Sequence, residues 1–198
     1  METSSVLSLA RRLIVPQETS LRRNAIVATT LSRYGEAALR FAIDAHIRVL
    51  PLRRTQRYDS ASPALARLHL GVDDWPAPPA GLFVVEERSV YLRSRNPMTV
   101  AHEFGHALDC ALGLGVYRSG LDPAIRRFFA EAREFVTPYA ATGIDEYFAE
   151  GLRAYIEVND AASPWPRVSR DRLARIDPRL FTYIDTLFTS GFQTQSVA

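Results

Sequence analysis

The sequence predicts an α+β fold: a small mixed or antiparallel sheet packed on one buried helix, followed by an all-helical C-terminal part. Three observations predict it. Strand-like spacing is confined to residues 46–52 and 82–94, whereas every later segment places its apolar residues three and four apart, the helical period. Strands and helices do not alternate along the chain, which excludes a parallel doubly wound sheet. The 198 residues are 47% apolar and 23% charged, the composition of a globular chain. At this length roughly 70% of the unfolded surface is buried on folding, so no disulfide framework is needed.

Taken in order, "QETSLRRNAIVATTLSRY" (17–34) reads as a helix that Gly35 ends in the left-handed conformation. "EAALRFAIDA" is a second helix. It leads into "HIRVLPL", an imperfect strand in which Ile47, Val49 and Pro51 alternate with His46, Arg48 and Leu50. Residues 53–80 read as irregular apart from a short helix around "PALARLHL", because "DDWPAPPAG" is too rich in proline for a helix or a central strand. "GLFVVEERSVYLRS" holds two strands, 82–86 and 89–94, with a tight turn near Glu87 and Arg88. Asn96 caps, and Pro97 opens, a helix that Gly113 and Gly115 end. Asp122 and Pro123 repeat the signal for "PAIRRFFAEAREFV", whose charges read as a solvated face over Phe128, Phe129 and Phe135. "IDEYFAEGLRAYIEV" is helical from about Ile144 to Val158, and Asp177 with Pro178 opens the last helix. No internal repeat occurs. The expected division is an N-terminal helical extension, residues 1–35, without an assigned role, followed by one domain, residues 36–198.

Charge and hydropathy exclude several classes. A net charge of +2, dispersed along the chain, argues against a nucleic-acid surface. All the basic residues are arginine, which reads as codon usage rather than chemistry. No apolar stretch approaches the ~20 residues of a membrane span, so no membrane partner is expected. The opening "METSSVLSLARRLIVPQ" carries Glu2 where a secretion signal carries positive charge, and Arg11 and Arg12 break its apolar run. A cytoplasmic location and export by a leaderless route both stay open, as does the oligomeric state. The single cysteine, Cys110, gives no reading of the redox compartment.

The chemistry concentrates in "MTVAHEFGHALDCALG", residues 98–113. Residues four apart on a helix differ by roughly 40° in direction, so His102 and His106 face the same way and can grip one tetrahedral zinc ion. Glu103 is turned about 100° from His102, which puts its carboxylate at the rim of such a site, where it can accept a proton from a water. Gly105 costs about 1 kcal/mol relative to alanine in mid-helix, which suggests that something packs against the backbone between the histidines.

A third ligand would make the centre catalytic. Residues 107–112 lack the glycine and histidine of the extended metzincin pattern, which is excluded. Asp109 can approach the metal but is better placed to bond a ligand histidine's free N–H, and Cys110 reads better as a small buried hydrophobe than as a soft ligand. "DEYFAE" supplies Glu146 and Glu150, two carboxylates on an apolar helical face, which are costly there unless a cation or hydrogen bonds meet them. Spacing alone leaves the choice open. His46 and His69 read as surface or satisfied histidines, and Trp75 as a loop anchor.

"VAHEFGHALD", followed by "TPYAATGIDEYFAEGLRAYIEV" and "IDPRLFTYIDTLF", resembles the zinc peptidase domain shared by anthrax lethal factor and the bacterial Pro-Pro endopeptidases, a gluzincin family. The likeness covers residues 81 to about 190. It implies a zincin-like fold, one zinc ion per chain held by His102, His106 and Glu146, and Glu103 as general base. It also implies that the Tyr139 hydroxyl supports the oxyanion, that Glu150 accepts from a ligand histidine, and that Asp109 matches the aspartate ending the motif helix. Tyr139 lies seven residues before Glu146, as the family's tyrosine does. Residues 1–35 and 53–80 have no clear counterpart. The implied activity is zinc-dependent hydrolysis of protein or peptide substrates, as an exported toxin or effector or as a processing protease. The strand "SVYLRS" is expected to be the sheet edge facing the cleft, with Val90, Tyr91 and Leu92 pairing with an extended peptide. Competing readings are a cytoplasmic regulatory H-E-x-x-H peptidase and a non-catalytic zinc- or peptide-binding module.

Overall fold

Three strands pack on one long helix. In the computed structural model the described residues are 2–15 and 21–192, with the side chains of 2–4 and 21–23 left aside. Helices α1 (Glu2–Leu13), α2 (Leu21–Ser32) and α3 (Gly35–Asp44) precede strand β1 (Arg48–Pro51). Short helices α4 (Tyr58–Ala61) and α5 (Pro63–Leu68) follow, then β2 (Gly81–Val84), β3 (Ser89–Leu92) and α6 (Pro97–Leu112). The remainder is helical: α7 (Arg118–Leu121), α8 (Pro123–Glu131), α9 (Ile144–Tyr155), α10 (Arg170–Ile176) and α11 (Pro178–Ser190).

The starts follow the capping chemistry. The Asn96 side chain accepts from the Met98 N–H at 2.8 Å, Asp122 from Ala124 at 2.8 Å and Asp177 from Leu180 at 2.9 Å, each with proline as the next residue. Such caps contribute about 1 kcal/mol apiece. Two helices end before the periodicity does. α8 stops at Glu131, and the following chain turns so that Phe135 meets both Phe129 and Tyr147. α9 stops at Tyr155, before Glu157 enters the left-handed region at φ 57°. Of the segment 17–34, α2 accounts for residues 21–32, and residues 17–20 lie outside the described part. Gly35 is left-handed, at φ 79°, and opens α3.

The strand order is β1-β3-β2, with β1 parallel and β2 antiparallel to β3. Val49, Phe83, Val90 and Leu92 turn toward α6 and join Val100, Phe104 and Leu108 in the main core. The opposite face, with Leu50, Val84 and Tyr91, is covered by Leu52 at the end of the strand segment, by Leu65 of the expected short helix, and by Tyr58 and Val72 from the stretch expected to be irregular. The N-terminal helices belong to the main core too. Leu9, Leu13, Val27 and Leu31 are buried in it, Val15 N–H donates to Val49 at 2.9 Å, and the Tyr34 hydroxyl donates to the Ala101 carbonyl of α6 at 2.6 Å. Apolar packing thus runs continuously from these helices to α6. Among the described residues no helix is long and apolar enough to cross a membrane.

Candidate metal centre

Helices α6 and α9 build the centre by touching backbone to backbone. A Cβ placed on Gly105 would lie 3.1 Å from Ala149 Cα and 3.2 Å from its carbonyl oxygen, so glycine is what admits this approach. It brings Glu146, on the first turn of α9, over the two histidines of α6. His102 Nε2 and His106 Nε2 stand 3.1 Å apart, and Glu146 Oε2 is 2.9 Å from the first and 3.2 Å from the second. Among the described residues this is the group of three that could hold a metal ion.

The donor set fits a cation. His102 Nδ1 is 3.0 Å from Glu150 Oε1, a contact that places the proton on Nδ1 and leaves the Nε2 lone pair facing inward. A neutral His102 then presents an acceptor to another acceptor, the Glu146 carboxylate. A shared cation reconciles the three atoms; without one, a proton must. The electrostatics agree. Burial opposes charge on His102, yet Glu146 and Glu150 outweigh it and push its pKa up to about 10. Burial likewise opposes ionisation of Glu146, and contacts with His102 and His106 overcome it and hold the carboxyl well below its usual range.

Glu150 sits at the centre of a buried network. Besides His102 it accepts from the Thr137 hydroxyl at 2.7 Å and from two nitrogens of Arg153 at 2.8 and 2.7 Å. Arg153, 1% exposed, also donates to the Val158 carbonyl. Thr137 and Arg153 were not singled out from the sequence, although Arg153 lies three residues past Glu150, the spacing of helical charge pairs.

Asp109 corrects an expectation. Its carboxylate accepts from the Ser119 N–H at 2.8 Å and the Ser119 hydroxyl at 2.5 Å, on the side facing α7, rather than from a histidine. Burial pushes its pKa up to about 7 despite those donors. His106 Nδ1 is buried with no hydrogen-bond partner, and its ring rests against Tyr117, centroids 5.6 Å apart. Cys110 is buried, as a small hydrophobe would be.

Glu103 and Tyr139 flank the three ligand atoms. Burial raises the Glu103 pKa, partly offset by the charges of His102 and His106. The Tyr139 hydroxyl donates to Glu146 Oε1 at 3.1 Å, and its ring lies 5.3 Å from that of His102.

The strand expected at the cleft is a second correction. β3 is the central strand, paired on both sides, and Val90, Tyr91 and Leu92 are at most 2% exposed, so none can pair with a peptide. The imperfect strand 46–52 adds to β3 in parallel and takes the edge that hairpin reasoning left free. The strand at the edge beside the centre is β2. A Cβ on its first residue, Gly81, would lie 2.5 Å from Glu103 Cγ, so glycine lets the strand run against the Glu103 side chain. A cleft of about 330 Å³ connects Gly81, His102, Glu103 and Tyr139 with Trp165, a residue sequence reasoning passed over. Trp75 lies elsewhere, its indole N–H donating to Leu70 within its own loop at 3.3 Å. His46 and His69 occupy left-handed turn positions, at φ 58° and 51°.

No family model matches the chain, and no curated protein does. Among solved structures it is similar to the Pro-Pro endopeptidase from Paenibacillus alvei, at 20% sequence identity and a TM-score of 0.64. That match covers 90% of this chain and 99% of the other. The likeness shows a shared α+β fold.

Proposed function

We propose that the chain is a zinc-dependent endopeptidase in which His102, His106 and Glu146 hold one zinc ion. The observation that carries this reading is the convergence of the three ligand atoms at 2.9–3.2 Å beside a cleft bordered by a sheet edge. The similar fold of a Pro-Pro endopeptidase supports it. When bound, zinc supplies Lewis acidity and brings the pKa of a water to roughly 7.

The chain's own residues do the rest. Glu103 takes a proton from the attacking water. Its burial favours the protonated form, which suits it to carry that proton to the leaving amine. The Tyr139 hydroxyl, held by Glu146, is a donor at the rim that can turn to the oxyanion of the tetrahedral intermediate, a contact whose loss typically costs about 3 kcal/mol. Glu150 fixes the orientation and tautomer of His102, and Arg153 and Thr137 fix Glu150. The outer edge of β2 pairs with no other strand, and apart from the Phe83 N–H, which donates to Glu103, its main-chain groups can meet an extended peptide, giving affinity with little sequence choice.

Zinc content and turnover test the reading together. The purified chain should hold about one zinc, His106→Ala and Glu146→Ala should retain it far more weakly, and Glu103→Ala should keep the metal and lose peptide cleavage. A wild-type chain that binds no zinc, or a Glu103→Ala variant that cleaves as fast as wild type, overturns it.

A further inference from the structure

The charged groups lining the cleft are already engaged. Glu150 and Arg153 bind each other, Glu150 also holds His102, and Glu103 is committed to proton transfer in the endopeptidase reading, on which this inference rests. Besides Trp165, His102 and Tyr139, what remains of the lining is Pro79, Ala80, Gly81, Met98 and Thr99, none of them charged. A charged substrate side chain entering here would lose water and find no free partner, a cost that an apolar side chain avoids.

Trp165 is the large apolar group on this lining. It is 44% exposed, with its indole open to the cleft that reaches His102 and Tyr139. The loop that carries it is held firmly. Asn159 closes the base with two bonds to Val168, its amide donating to the Val168 carbonyl and its side-chain oxygen accepting from the Val168 N–H, both at 2.8 Å. Asp160 accepts from the side chain of Asn96, the residue that caps α6, so the loop is tied to the helix bearing both histidines. Pro164 and Pro166 flank the tryptophan, fixing the backbone on either side and restricting Trp165 itself to extended conformations. An indole on such a loop is preorganised, so little ordering entropy opposes contact.

We infer that Trp165 forms a specificity subsite of the cleft, taking an uncharged apolar side chain at one substrate position flanking the scissile bond. It acts on substrate choice and takes no part in bond cleavage. The test profiles a peptide library with the zinc-loaded wild-type chain, Trp165→Ala and Trp165→Phe, alongside zinc content and melting temperature of each. Wild type should select apolar over acidic residues at one position. Trp165→Ala should flatten that preference and lower kcat/KM for the preferred peptide about 10- to 100-fold, chiefly through KM, with zinc content and melting unchanged. Trp165→Phe should keep most of the selectivity. If wild type cleaves and Trp165→Ala shows the same profile, the subsite is refuted while the endopeptidase reading stands. If zinc-loaded wild type cleaves nothing, both fall.

Discussion

Replacing Gly105 by alanine sets two effects of opposite sign against each other. Helix propensity alone favours the change by about 1 kcal/mol, the cost of glycine in mid-helix. The structure opposes it. The new Cβ would sit 3.1 Å from Ala149 Cα, 3.2 Å from Ala149 O and 3.3 Å from Ala149 Cβ. All three atoms belong to the interior of α9, so no side chain can rotate out of the way. Forcing a methyl group into a filled contact costs about 1–3 kcal/mol. The net expectation is a loss of about 1 kcal/mol, or a melting temperature lower by roughly 2–4 °C at this chain length. Metal binding should suffer more, because Glu146 moves with α9 while His102 and His106 move with α6; a drop in zinc affinity of about tenfold or more is expected. Thermal unfolding of the metal-free chain gives the first quantity, and titration against a chromophoric chelator gives the second. A Gly105→Ala chain that melts above wild type and binds zinc equally well refutes the close approach.

Three further outcomes are expected. Glu150→Gln removes the anionic partner of the buried Arg153 and weakens the hold on His102; unfolding should show a loss of about 3 kcal/mol and zinc titration a 10- to 100-fold weaker affinity, and unchanged zinc affinity would detach Glu150 from the centre. Gly81→Ala drives a methyl against Glu103 and should cut turnover about 10- to 100-fold with zinc retained, measured on any cleaved peptide. Glu87 gives the pH dependence: burial opposes its ionisation, but donors from Tyr91, Ala64 and Ser62 prevail and lower its pKa from the usual 4.5. Its stabilisation is therefore present above that value and lost as pH falls through the folded one. The gap between wild type and Glu87→Gln, about 2 kcal/mol by urea unfolding at pH 7, should close in acid; a gap of constant size from pH 7 to pH 3 would contradict this.

Local signals in the sequence located the elements well. Asn96-Pro97, Asp122-Pro123 and Asp177-Pro178 begin helices where a side-chain acceptor and a fixed φ require, and a glycine in mid-helix, Gly105, marks the contact with α9. Long-range pairing was not legible. Nothing in the alternation of residues 46–52 shows that they add in parallel to 89–92, and that addition moves the sheet edge from β3 to β2. That Leu9 and Leu31 share a core with Leu108 was not legible either, because helical periodicity and the left-handed Gly35 are local signals that carry no information on long-range contacts. Arg153 and Thr137 have roles set by what Glu150 meets in three dimensions. Trp165 enters the cleft through a loop whose course depends on a bond to Asn96, far away in the chain.

The ligand atoms come from two helices, and His106 and Glu146 are 40 residues apart in sequence. An ion gripped by both would staple the chain across that interval, and in the chain-entropy picture closing a loop of such size disfavours the unfolded ensemble by about 4 kcal/mol. The same three atoms would then serve as a removable cross-link, and chelation would loosen the architecture as well as disarm it.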